Sequence, residues 1–98
     1  MNIRAIVNDA LGKLDTEGSP AQVAARLDMD CCHGVRRSYS TCPVAEWLLV
    51  VTGLHVLVGP DFWMHEPSNL LGQLPDNVCG FVAGFDSEHY PRLDVAAI

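Results

Sequence analysis

Ile3, Ile6, Val7, Ala10, Leu11 and Leu14 recur at helical spacing, with Arg4, Asn8, Asp9 and Lys13 opposite them. The spacing predicts an amphipathic helix that ends near Asp15 to Gly18. Ser19-Pro20-Ala21-Gln22 then reads as an N-cap, a proline in the first turn and a short helix. That helix turns Val23, Ala24 and Leu27 inward and ends around Asp28 to Asp30. From Asp30 to Thr41 the pattern loses its period and gathers Cys, His, Gly, Arg and Ser, which predicts a loop of about a dozen residues. Pro43 to Thr52 is apolar on nearly all sides and is expected to be the most buried helix, with Gly53 as its C-cap.

Periodicity changes after Gly53. Leu54-His55-Val56-Leu57-Val58 and Phe62-Trp63-Met64-His65 are β-rich runs on either side of Gly59-Pro60-Asp61, so they are expected to form a hairpin closed by Pro67-Ser68-Asn69. Leu70-Leu71-Gly72-Gln73-Leu74 fits either a loop or a short third strand. Pro75-Asp76 opens a last helix with Val78, Phe81, Val82 and Phe85 on one stripe. Gly80 and Gly84 weaken it by roughly 1 kcal/mol each relative to alanine, a cost tolerated where a neighbour must come close. Tyr90-Pro91-Arg92-Leu93 reads as an extended tail. The expectation is one α+β domain over residues 1–98, in the order helix-helix-helix-strand-strand-helix.

Composition narrows the class. A chain of 98 residues that is 49% hydrophobic suits one compact core. The apolar run from Trp47 to Val58 is interrupted by Thr52, Gly53 and His55. It falls short of the roughly 20 residues that a membrane span needs. The N-terminus lacks a continuous apolar signal core, so a cytoplasmic location and no membrane partner are expected. In a reducing compartment Cys31, Cys32, Cys42 and Cys79 are expected as free thiols. A net charge of −6 opposes nucleic-acid phosphates.

Candidate chemistry gathers around the start of the third helix. Pro43 suits the first helical position, so Cys42 is expected at the N-cap, where free amides and the macrodipole favour a thiolate. Arg36, Arg37, Ser40, Thr41 and Cys42 therefore form a candidate anion or reactive-thiol site. Against it stands simple capping by Ser40 or Thr41, with the arginines in solvent or paired with Asp28 and Asp30. A nucleophilic Cys42 would need a base, and His33 is the nearest histidine in sequence. Cys31, Cys32, His33 and Cys42 carry soft metal ligands, but directly adjacent residues point different ways and rarely close on one ion. His55 and His65 lie on facing runs of the hairpin, where a surface pair is expected. A winged-helix reading would make Pro43–Thr52 the recognition helix, yet it offers Glu46 and Trp47 and no residue suited to reading a base edge.

Two short motifs resemble a loose group of small actinobacterial and actinophage proteins. One is the helix start Cys42-Pro43-Val44-Ala45-Glu46-Trp47-Leu48, and the other is Phe85-Asp86-Ser87-Glu88-His89-Tyr90-Pro91-Arg92-Leu93. The resemblance implies a bacterial or phage context and assigns no catalytic residue.

Phe62, Trp63 and Met64 cannot all point inward on one strand, so at least one large apolar side chain is expected at the surface or under a partner. The sequence therefore predicts a small acidic adaptor or inhibitor, not an enzyme, with no cofactor. Its hairpin surface, Phe62, Trp63 and Met64, and its Asp30 to Thr41 loop would bind another protein. A homodimer is an alternative partner, and a host protein the natural target if the chain is phage-encoded. Competing expectations are a metal- or thiol-dependent protein centred on Cys42 and a winged-helix-like DNA-binding protein.

Overall fold

The fold is described over residues 2–95 of a computed structural model. It contains α1 (Ile3–Asp15), α2 (Pro20–Met29), α3 (Pro43–Thr52), β1 (Val56–Val58), β2 (Phe62–His65), β3 (Leu70–Gln73) and α4 (Asp76–Asp86), followed by a 3-10 turn at Pro91–Leu93. The architecture is α+β. It departs from the expected order in one element, because Leu70–Gln73 forms a third strand and turns the hairpin into an antiparallel meander, β1-β2-β3. The expected extended tail is also corrected. Pro91 starts a helical turn, and Leu93 is buried at its end.

Local chemistry sets most helix boundaries. The Asn2 and Ser19 side chains accept from the backbone amides of Ala5 and Gln22, and Cys42 Sγ accepts from Ala45 N at 3.4 Å. Gly53, at φ 75°, supplies the left-handed residue that ends α3. Pro75 has no capping side chain, and α4 is started from a distance instead. Asn77 N donates to Asp15 Oδ1 at 2.8 Å, and Asn77 Nδ2 donates to Asp15 O at 3.0 Å, joining the end of α1 to the start of α4.

The helices bury Val7, Leu11, Leu14, Val23, Leu27, Val44, Leu48, Val78, Phe81 and Phe85 in one core with the inner face of the sheet. The prediction that α3 is buried throughout holds only for its first half. Pro43, Val44, Ala45, Trp47 and Leu48 are buried, whereas Val50 and Val51 are 76% and 52% exposed. Gly80 and Gly84 do permit close neighbours, and these are side chains. A Cβ at Gly80 would meet the Pro20 ring at 2.7 Å, and one at Gly84 would meet the Tyr90 ring at 2.8 Å.

The sheet is organised by Trp63, which is fully buried. Its cross-strand partner is Gly72, and a Cβ there would come within 2.3 Å of the indole. The ring occupies the space a side chain would take, and Nε1 donates to Asn8 Oδ1 of α1 at 3.3 Å. An indole so enclosed satisfies its one donor while burying its largest apolar surface.

Two substitutions test this seat. Trp63→Ala opens a cavity and is expected to destabilise the fold by about 3–5 kcal/mol in urea unfolding. Gly72→Ala forces the indole aside and is expected to cost about 1–3 kcal/mol. Because both act on one contact, the double variant is expected to lose less than the sum of the two.

Candidate functional site

Successive strand residues point to opposite faces, and directly paired residues share a face. With Trp63 inside, β2 must turn Phe62 and Met64 to the other side. The register puts Leu57 and Leu71 opposite Met64, and Gln73 opposite Phe62. The outer face is therefore Leu57, Phe62, Met64, Leu71 and Gln73. Leu57, Phe62 and Met64 are half-buried, and Leu71 is 53% exposed. Tyr39 of the Asp30 to Thr41 loop extends this surface by packing edge-on against Phe62, with ring centroids 5.8 Å apart. Of the three residues expected at an interaction surface, Phe62 and Met64 lie on the outer face. Trp63 is corrected to a core residue, because its pairing with Gly72 gives the indole a seat only on the helix side.

Beyond Leu71 the outer face meets a groove of about 780 Å³ lined by Arg4, Asn8, Phe62, Leu71, Gly72 and Gln73. Sequence reasoning set Arg4 and Asn8 on the polar side of α1 but missed Leu71 and Gln73 as their surface-forming neighbours. Their one local signal was the run after Asn69, whose β character Gly72 weakens.

The candidate anion residues do not converge. Arg36 bonds the buried carboxylate of Asp94 and also reaches Glu88 Oε1 at 2.6 Å, and its bond to Asp94 holds the guanidinium more firmly in the charged form. Arg37 takes a positive φ of 59°, and its backbone N–H donates to Asp86 Oδ1. Thr41 Oγ1 donates to Ser38 Oγ, so neither Ser40 nor Thr41 caps α3. Asp28 and Asp30 pair instead with Arg92 and Arg26. These contacts make the loop a structural strap. Gly34 bridges to Asp94 in parallel and lies so close to Thr41 O that a Cβ would approach it to 2.1 Å.

Cys42 occupies the expected N-cap, but its thiol is pushed up to about 11, opposite to the direction the helix terminus favours. Burial is the main cause, and the amide hydrogen bonds from Ala45 and Val44 only partly offset it. Burial likewise raises Cys32, helped by Asp30, Glu46 and Cys31, and raises Cys79, helped by Asp61 and Asp76. Cys31 is exposed at φ 58°, Cys32 donates to Asp30 O, and His33 pairs with Asp28 at 3.1 Å. Among the described residues no three His, Cys, Asp or Glu side chains gather where one ion could be held. His55 and His65 are not a surface pair, since His65 is buried opposite Val56 and its Nδ1 bonds Ser68 Oγ at 2.7 Å. Trp47, a candidate on the recognition-helix reading, is buried and donates to Asp30 Oδ2 at 3.0 Å.

The fold and this surface define a small α+β domain with an apolar outer sheet face. Comparison with known protein families, with curated proteins and with solved structures gives no match. No helix among the described residues is long and apolar enough to cross a membrane.

The thiol chemistry has a pH signature. A thiol that ionises near 8.5 when unfolded and at about 11 when folded contributes about 3 kcal/mol of stability, fully present below pH 8 and lost progressively as the pH climbs to 11. Cys32 and Cys79, also raised, act with the same sign. Urea midpoints measured from pH 7 to 11 are expected to fall, and to fall less steeply in Cys42→Ser, which keeps an N-cap acceptor.

Proposed function

We propose that the protein is a small acidic interaction module, an adaptor or inhibitor, whose contact surface is the outer face of the sheet. The observation that carries this reading is the outward row Leu57, Phe62, Met64 and Leu71, with Tyr39 at its rim. The helices pack on the opposite side, against Val56, Val58, Trp63 and Leu74. Among the described residues no second helical layer packs over that row, and an apolar surface left partly open in this way marks an interaction site. Interfaces also favour Phe, Tyr and Met over charged side chains.

The buried thiol of Cys42 is held protonated at neutral pH, and Arg36 is engaged with carboxylates. The partner is another protein, a host protein if the chain is phage-encoded. A second copy of the chain is the alternative occupant.

Replacing Met64 and Leu71 together by lysine leaves the inner face untouched, so the variant is expected to fold with an unchanged far-UV spectrum. It is expected to lose about 2 kcal/mol of partner affinity, roughly 30-fold, as measured by capture from extract of the native host followed by titration of the captured protein. Equal affinity of the folded double variant would rule out this face.

A further inference from the structure

The sheet has two edges, the outer sides of β1 and β3. Leu74 N donates to Asp61 O, and Gly59 N donates to Phe62 O. In an antiparallel ladder the bonded pairs alternate. These two bonds therefore fix Leu70, Gly72 and Leu74 as the residues that bond to β2, and turn the N–H and C=O groups of Leu71 and Gln73 outward. On the other edge the outward N–H of Val58 donates to Tyr39 O at 2.8 Å, so the loop meets β1 at that residue. On β3, among the described residues, the outward group taken up is Leu71 O, which accepts from Arg4 Nη1 at 2.6 Å. Proteins usually cover or charge an open edge, because it is a template for another strand.

Resting on the interaction reading above, we infer that the β3 edge takes an extended segment of the partner protein as a fourth strand, and that this segment carries a carboxylate facing Arg4. The groove along Leu71, Gly72 and Gln73 is open at this place. The main chain of such a segment bonds the outward N–H of Leu71 and the outward groups of Gln73, while Leu71 O stays with Arg4, in the manner of strand addition to an exposed sheet edge. Its side chains then alternate. Those on the outer side continue the row formed by Leu57, Met64 and Leu71, so they are apolar. Those on the inner side face Arg4 and Asn8 of α1. Arg4 forms no ion pair among the described residues, and its guanidinium keeps further donors beyond the one on Leu71 O. A carboxylate held there makes the charge-assisted hydrogen bond that the site otherwise lacks. The net charge of −6 disfavours a segment acidic throughout, so the occupant is an apolar strand with isolated acidic positions.

The probe is a capped hexapeptide of alternating valine and glutamate, titrated into the isotopically labelled full chain and followed by amide chemical shifts, with a valine and lysine counterpart as control. The expected result is saturable shifts at Leu71 and Gln73, with the glutamate peptide at least tenfold tighter than the lysine one. Gln73→Pro removes an outward N–H without touching the ladder to β2, and is expected to weaken binding at least tenfold. Arg4→Gln is expected to abolish the preference for glutamate. The proposal is overturned by no shift at millimolar peptide, by binding indifferent to Gln73→Pro, or by equal binding of the two peptides. It is also overturned by a concentration-dependent dimer that Gln73→Pro dissolves, which would make a second copy the occupant. If Gln73→Pro retains the native partner while the Met64 and Leu71 double variant loses it, the edge proposal fails and the outer-face reading stands.

Discussion

The seating of Trp63 on Gly72 fixes the rest of the sheet. A strand alternates sides with a period of two, so a single residue committed to the core commits its neighbours to the opposite face. Trp63 is the largest fully buried side chain, and its indole N–H is satisfied by Asn8. Moving it outward would expose that surface, empty the space over Gly72 and leave Asn8 without its donor. The same constraint turns Phe62, Met64 and Leu71 away from the helices, and so produces the apolar outer face on which the functional reading rests. Core packing and interaction surface are two consequences of one register.

A second constraint holds the irregular segments. The loop from Asp30 to Thr41 and the chain after α4 are tied by the Gly34 to Asp94 bridge, by Arg36 to Asp94 and Glu88, and by Arg92 to Asp28. Asp94 is buried, so its charge depends on such partners. The loop in turn presents Tyr39 beside Phe62 and bonds the β1 edge at Val58 through Tyr39 O. A segment rich in Cys, His, Arg and Ser thus serves the sheet by position, bonding the outer edge of β1 at Val58.

How much of this was legible follows from the range of the interactions. Helix limits were readable because their determinants are local: Ser19 and Pro20 start α2, Cys42 and Pro43 start α3, and Gly53 ends it. The direction of Trp63 was not readable, since Phe62, Trp63, Met64 and His65 are all bulky and carry no polar alternation, and the deciding partner, Gly72, is supplied by the next strand. Gly72 also obscured β3 itself, because glycine lowers strand propensity where the indole needs it. The N-cap place of Cys42 was visible, but the sign of its pKa was not. The helix terminus acts locally, whereas the opposing burial comes from the whole fold. Arg36 and Asp94 are 58 residues apart, and no short-range pattern pairs them.

The sidedness of β2 is the claim to which every functional statement returns, and hydroxyl-radical footprinting of the free protein measures it most directly. The account predicts ready oxidation of Met64 and Leu71, slower labelling of Phe62, and protection of Trp63. Labelling of Trp63 at the rate of an exposed indole, with Met64 protected, would mean that the strand faces the other way and would contradict the account.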